Sequence, residues 1–270
     1  KLNMWEPVRK KGDAAGTTRY YGIPWVLDTR VLYYNRDILR KAGYVPPTPP
    51  QTWQDLMDMS QKISASVPGV AGNGLNGPDR HVLYKKILSY MWSNGGNILS
   101  PDGKTCILDS PENRQALEFY LKLKPYSKIG TQKELDQAFV EGKIAFWITG
   151  SWLLARLHKE GVLFDFGMTM VPKPAKDKGK SVSFAGGEYL AINAKSKAPK
   201  ESLALIKFLT WEENMLSLCY LAGMFCPSSK IAFSQYYYAY RPGHELFLKQ
   251  LESSYSSPFH PQWMAIKDIF

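Results

Sequence analysis

Apolar positions along this chain fall into two periods, and the switches between them mark the elements. The run Val31-Leu32-Tyr33-Tyr34 is short, β-prone and continuous, punctuated upstream by Gly22 and Pro24, and predicts a buried strand. Further strands are expected over Ile144 to Ile148 and, in the stretch Ala185 to Ile192 that follows Phe164 to Val171, behind a glycine pair and an acid as another buried strand. Helical spacing takes over elsewhere. Arg36 to Gly43 suits a short helix stopped by its glycine, and Leu56, Met59 and Ile63 make a buried stripe behind the N-cap Thr52 and Asp55. A helix over His81 to Ser93 places Leu83, Ile87, Leu88, Met91 and Trp92. Another starts at Ser110-Pro111 with Leu117, Tyr120 and Leu121 as its apolar face. Helices are also expected over Lys133 to Glu141, from near Leu153, from Pro199 with Leu205, Ile206 and Leu209 inward, over Trp211 to Ala222 before Gly223, over His244 to Leu251, and after Trp263. The Gly- and Asn-rich stretch Gly72 to Arg80 reads as a loop that lets backbone approach a ligand, and Pro172 to Lys180 as a Pro/Lys-rich loop.

Interleaved strands and helices predict an α/β architecture. Separations of roughly 15–20 residues between strands favour parallel pairing in part of the sheet. The 270 residues, 44% hydrophobic and 21% charged, allow one large or two modest domains. No apolar run approaches the length that crosses a bilayer, and no basic-then-apolar leader opens the chain. The formal charge of +10 raises the question of an acidic partner, but apart from Arg9-Lys10-Lys11 and Lys173 to Lys180 the basic residues are dispersed. Phosphate contacts need a concentrated stripe, so nucleic acid is not expected as a partner. Cys106, Cys219 and Cys226 form no disulfide framework; Cys219 and Cys226 could bridge locally or remain buried thiols.

Four scattered histidines, with no Cys/His cluster and no carboxylate-rich loop, leave no candidate metal site. Gly179-Lys180-Ser181 matches the end of a phosphate loop, but Pro174 stands where its first glycine is required, and neither a nucleophile elbow nor a dinucleotide turn occurs. Aromatic content stands out: 13%, with eight tryptophans. Aromatics recur beside glycines or charges at element ends: Trp25 with Asp28, Trp152 with Gly150, Tyr189 with Gly187 and Glu188, Trp263 with Gln262. Flat rings stack on the apolar faces of sugars while carboxylate, guanidinium and amide groups bond vicinal hydroxyls, which suits a polyhydroxylated ligand; the competing reading is that these tryptophans are core. Asp28 and Arg30 share a face of an extended chain, either as a ligand-facing pair or as a simple ion pair at a strand end.

Several blocks occur in a familiar order: Gly22-Ile23-Pro24-Trp25, Asp28 to Asp37, Pro49 to Leu56, Phe139 to Phe146 running on to Gly150-Ser151-Trp152, Phe166 to Pro174, and Gly186 to Ile192. Together they resemble the extracellular solute-binding proteins of bacterial sugar ABC transporters, the family of maltose-binding protein, over almost the whole chain. The resemblance implies a two-lobe periplasmic-binding-protein-like α/β fold whose lobes are joined by crossover hinges near 26–30, 185–189 and 225–228. Residues 1–27 and 190–224 would form a partial amino-terminal lobe, and 30–187 with 228–270 the carboxyl-terminal lobe. Relatives run further at both ends, so the amino lobe is expected to be incomplete, with a sheet edge and apolar helix faces exposed and with weak stability and weak or absent sugar binding. The implied ligand set is Trp25, Trp92, Trp152 and Trp263 for stacking, with Asp28, Arg30, Asp79, Arg80, Gly187 and Glu188 on hydroxyls.

The implied activity is high-affinity binding of a sugar or oligosaccharide and its delivery to the membrane permease subunits of an ABC transporter. The protein would be a monomer without cofactor, periplasmic or extracellular, with lipid anchoring as a variant. Two alternatives stay open. One is a non-sugar solute such as glycerol phosphate or a peptide; the other is a glycoside-active enzyme using Asp28 and Glu188, which requires carboxyls about 5 to 9.5 Å apart.

Overall fold

A computed structural model describes residues 8–11, 17–222, 226–227, 243–258 and 260–269. In chain order the elements are β1 (Arg9–Lys11), β2 (Thr18–Tyr20), β3 (Ile23–Asp28), β4 (Val31–Asn35), α1 (Arg36–Lys41), α2 (Trp53–Ser66), β5 (Ala71–Asn76), α3 (Arg80–Ser93) and α4 (Pro111–Leu123). They continue with β6 (Ser127–Gly130), α5 (Gln132–Val140), β7 (Ile144–Thr149), α6 (Ser151–Glu160), β8 (Phe166–Thr169), β9 (Ser183–Phe184), β10 (Gly186–Leu190), α7 (Pro199–Leu209) and α8 (Glu212–Ala222). The last described are β11 (Cys226–Pro227), α9 (His244–Glu252), β12 (Ser254–Tyr255) and α10 (Trp263–Ile269).

Capping residues set the helix starts. Thr52 and Asp55 form a reciprocal capping box on α2, as do Thr131 and Glu134 on α5, so orphan amides at each start are satisfied by side chains. Asn35, the last residue of β4, accepts from Ile38 N at 3.0 Å and turns the strand straight into α1. The main sheet has the order β6-β5-β7-β4-β8, with β5 parallel to β6 and β7, and β4 antiparallel to β7 and β8. Helices cover both faces. Leu32 and Tyr34 pack on one side with residues of α2, α3 and α4; Val31 and Tyr33 pack on the other with α5, α6 and α9. That double burial explains why β4 is continuously apolar instead of alternating.

A second, three-stranded sheet has β3 at its centre, antiparallel to β10 and β11. Gly186 lies opposite Asp28, and Cys226 opposite Leu27, so the three segments expected as crossovers lie side by side. Only Thr29 and Arg30 separate β3 from β4. Thr29 is fully buried, its hydroxyl 2.8 Å from that of Ser254 and 3.3 Å from the carbonyl of Phe184, and Arg30 N donates to Ser183 Oγ at 3.3 Å.

Several expectations need correction. The Gly/Asn-rich stretch is not a loop over its first half: residues 71–76 form β5, an inner strand of the main sheet. Its glycines serve close packing. A Cβ on Gly72 would lie 2.4 Å from the Ser60 Cα of α2, and one on Gly74 would lie 2.8 Å from the Trp147 ring. The strand β6 had no signal in the apolar pattern. On α4 the inward side is Asn113, Ala116, Tyr120 and Leu123, whereas Leu117 and Leu121 are exposed. The helix expected near Leu153 starts at Ser151, so Trp152 belongs to it. β10 is half-buried, with Glu188 exposed. Of the residues expected inward on α7 only Ile206 is buried; Leu205 is exposed, as are Phe208 and Trp211, so an apolar helix face is open. Gly223, residues 225 and 228 of the expected third crossover and the side chain of Cys226 lie outside the described residues, and with them the question of a Cys219–Cys226 bridge.

Gly72→Ala should destabilise the fold by about 1–3 kcal/mol, because backbone of α2 and not a flexible side chain occupies the space. A urea midpoint equal to that of the unaltered protein would show that α2 can move off the sheet.

Candidate functional site

The two-residue step between the sheets brings an acid and a base together. Asp28 ends β3, Arg30 precedes β4, and Arg30 Nη2 meets Asp28 Oδ2 at 2.8 Å. Arg30 Nη1 also donates to the Phe184 carbonyl at 3.3 Å, and its guanidinium lies 5.6 Å from the centroid of the Trp152 ring and 5.5 Å from that of Phe184. The other oxygen, Asp28 Oδ1, is buried without a hydrogen-bond partner. Burial raises the Asp28 carboxyl above its ordinary pKa, against the opposing pull of Arg30, Lys85 and Lys86. An unpartnered carboxylate oxygen beside a half-buried indole can accept from a ligand hydroxyl whose ring lies against that indole.

Trp152 is held by its neighbours. Its Nε1 donates to Asp136 Oδ2 at 3.0 Å, and Asp136 Oδ1 accepts from Trp147 Nε1 at 2.7 Å, from Gln132 Nε2 at 2.8 Å and from Thr149 Oγ1 at 3.2 Å. One buried carboxylate thus ties α5, β7 and α6 together. On the facing helix α3, Lys85 Nζ lies 2.8 Å from His81 Nε2 and 5.5 Å from the Phe184 ring centroid, while Lys86 is buried, donates to the Ile148 carbonyl and sits 4.6 Å over Trp147. Burial first, then the nearby Arg30, pushes both lysines down, Lys86 to about 7. Burial and Lys85 likewise lower His81.

The structure thus gathers Asp28, Arg30 and Trp152. It places the other candidates apart from that cluster or in supporting positions. Trp92 is core: it stacks on Phe184 at 6.0 Å, meets Tyr255 edge-on and donates to Asn97 Oδ1, so its faces are covered. Trp25 is engaged by α7 and α8, donating to the Leu209 carbonyl at 3.3 Å and packing beside Val26 and Cys219. Asp79 caps α3 by accepting from Val82 N at 3.1 Å. Arg80 is exposed at the start of that helix. Trp263 is half-buried and edge-on to Tyr84 at 6.4 Å. Gly187 and Glu188 lie in β10 opposite Leu27 and Val26. Among the described residues no group of three or more His, Cys, Asp or Glu could hold a metal.

Sequence reasoning missed Asp136, Lys85, Lys86 and Phe184. Two of them left a trace: Asp136 interrupts an apolar stretch between Leu135 and Ala138-Phe139, and Lys86 falls between Tyr84 and Leu88 in a helix otherwise read for its apolar face. Lys86 also sets a pH dependence. Its folded pKa lies below the ordinary lysine value of about 10.4, so between pH 7 and 10 the unfolded chain holds a proton that the folded chain has released, and stability rises with pH across that window. Lys86→Met should flatten this rise in urea titrations; an unchanged slope would assign the proton elsewhere.

The chain matches the family described as bacterial extracellular solute-binding protein over residues 3–216. It is 34% identical over 203 residues to a probable ABC transporter-binding protein of Deinococcus radiodurans, covering 70% of this chain and 46% of that one. It is 28% identical over 253 residues to the sn-glycerol-3-phosphate-binding periplasmic protein of Shigella flexneri, covering 87% and 56%. An ABC transporter solute-binding protein of Thermotoga lettingae, solved with α-D-tagatose, superposes with a TM-score of 0.81 at 25% identity, covering 92% of this chain and 64% of that chain. The chain spans about half the length of these two curated relatives. With the match over residues 3–216 taking in the whole five-stranded sheet and the Asp28–Arg30 step, the chain belongs to the bacterial extracellular solute-binding proteins.

Proposed function

We propose that this protein binds a carbohydrate at the Asp28–Arg30–Trp152 cluster and delivers it to the permease subunits of an ABC transporter, outside the cytoplasmic membrane and with no catalytic step. The observation that supports this reading most is the half-buried Trp152 ring beside a carboxylate with one unpartnered oxygen. Residues 1–27 with 190–224, and 30–187 with 228–270, are the two lobes in this reading, and 26–30, 185–189 and 225–228 the hinges. Two things favour that division: the three hinge segments pair in one sheet, and Asp28 lies within it at the mouth of the larger lobe. A solute touching both lobes favours the closed state to the extent that it binds that state better. Among the described residues no helix is long and apolar enough to cross a membrane. Periplasmic or lipid-anchored placement therefore rests on the family.

The family is one of binding proteins, which sets aside a glycosidase role for Asp28 and Glu188. A second solute class, a phosphorylated polyol, is favoured by Arg30, Lys85 and Lys86 gathering around a single ion-paired carboxylate.

Trp152→Ala should weaken sugar binding by about 1–2 kcal/mol, roughly five- to thirtyfold, in titration calorimetry, with circular dichroism unchanged. A folded variant that binds as well as the original would remove Trp152 from the site.

A further inference from the structure

Beneath Arg30 lies a cavity in the larger lobe whose lining is one-sided in charge. Its polar boundary is Arg30, Lys85, Lys86, Asn76 and Ser89, set among apolar walls that include Leu75, Trp147 and Val182, and no Asp or Glu lines it. Asn76 is 2% exposed, and both its side-chain Nδ2 and Oδ1 are buried without partners. An orphaned amide donor at such a depth costs on the order of 1–3 kcal/mol unless something in the cavity accepts from it. The carboxylates near these cations all lie outside the lining. Asp28 pairs with Arg30 outside the cavity, and Asp136 is occupied by two indoles, an amide and a hydroxyl. Arg30, Lys85 and Lys86 thus border the cavity, while Asp28, Asp79 and Asp136 stand behind it. The cavity measures about 30 Å³, room for a substituent and not for a sugar ring.

We infer that this cavity is an anion-binding pocket that accepts a carboxylate, sulfate or phosphate group from the cleft, held by Lys85, Lys86, Arg30 and the Asn76 amide. The group is either part of the transported solute or a free anion bound beside a neutral one. The inference rests on the cleft assignment above and adds a charge requirement to it. Lys86 faces Arg30 and Lys85 as cations and Asp136 and Asp28 as acids, and Lys85 faces Arg30, Asp28, Asp79 and Lys267. Burial first, and then the neighbouring cations, holds both lysines below their ordinary range; an anion beside them favours the charged form, so binding takes up a proton. Affinity for the anion therefore falls as pH rises past the point where Lys86 is released.

The test is titration calorimetry of the protein with sodium sulfate, glycerol 3-phosphate and maltose at pH 6.5 and 8.5, repeated with Lys85→Gln and with Asn76→Leu, whose apolar side chain suits a buried position. Sulfate, whose charge is constant over this range, should bind with proton uptake and lose about tenfold in affinity at pH 8.5. Each variant should lose about fivefold or more. Glycerol 3-phosphate binding more tightly than sulfate would make the anion part of the solute; equal affinities would make it a free ion. Maltose binding with neither anion bound would overturn the pocket and leave the cleft assignment standing. Failure of sulfate and glycerol 3-phosphate to bind at either pH would likewise overturn the pocket.

Discussion

The fold depends on how the chain changes sheets between Asp28 and Val31. One continuous extended segment supplies the central strand of the three-stranded sheet and an inner strand of the five-stranded one, with two residues between them. Such a step exposes backbone groups to the interior unless they are paired. Here Ser183 Oγ accepts from the Arg30 amide, and the Thr29 hydroxyl adds side-chain bonds to the Phe184 carbonyl and the Ser254 hydroxyl. β9 and β12, which pair with each other, thereby act as a clamp on the step. Because that clamp fixes the backbone on both sides of Asp28 and Arg30, the two side chains reach each other without freedom to splay. The ion pair follows from the backbone route.

Charges this deep are costly, and the cluster around Arg30 manages the cost unevenly. Asp136 is fully compensated by four donors, each from a different residue. Lys86 has one carbonyl and the face of Trp147, and burial with the nearby Arg30 lowers its pKa. Asp28 has a guanidinium on one oxygen and nothing on the other. The well-compensated acid lies on the structural side of Trp152, and the under-compensated groups lie toward the cavity and the step. Unmet bonding capacity is what a binding surface has to offer, and here it is concentrated within reach of one indole.

Much of this architecture was legible in the sequence because the signals were local. Thr52 and Asp55, Ser110 and Pro111, and the Leu56–Met59–Ile63 stripe act within a turn or two, and each appears where its chemistry requires. The segments Val26 to Asp28, Gly186 to Glu188 and Cys226–Pro227 pair as neighbouring strands. β5 was illegible because its glycines report on partners far away in the chain, Ser60 of α2 and Trp147 of β7, while locally they look like loop residues. Leu117 and Leu121 failed for the complementary reason: an apolar residue on a helix does not announce which side the sheet lies on. At the site, Asp28, Arg30 and Trp152 stood at element ends, where aromatic and charged residues are conspicuous. Asp136 and Lys86 sit inside helices, and only the fold shows that they point toward the same two tryptophans. Trp92, read with Leu88 and Met91 on the helix over His81 to Ser93 and also taken as a stacking candidate, is buried against Phe184.

The flanking of β3 on both edges has a mechanical consequence. A lone connecting strand can twist, bend and swivel, and transmits little of one movement into another. β3 is hydrogen-bonded to β10 along one edge and to β11 along the other, so none of the three can rotate about its own axis without shearing its neighbours. What remains cheap is a common flexing of the whole ribbon, like a leaf spring and unlike a ball joint. Any displacement the sheet passes on is thereby confined to few directions, and Asp28, at the spring's edge, travels with it.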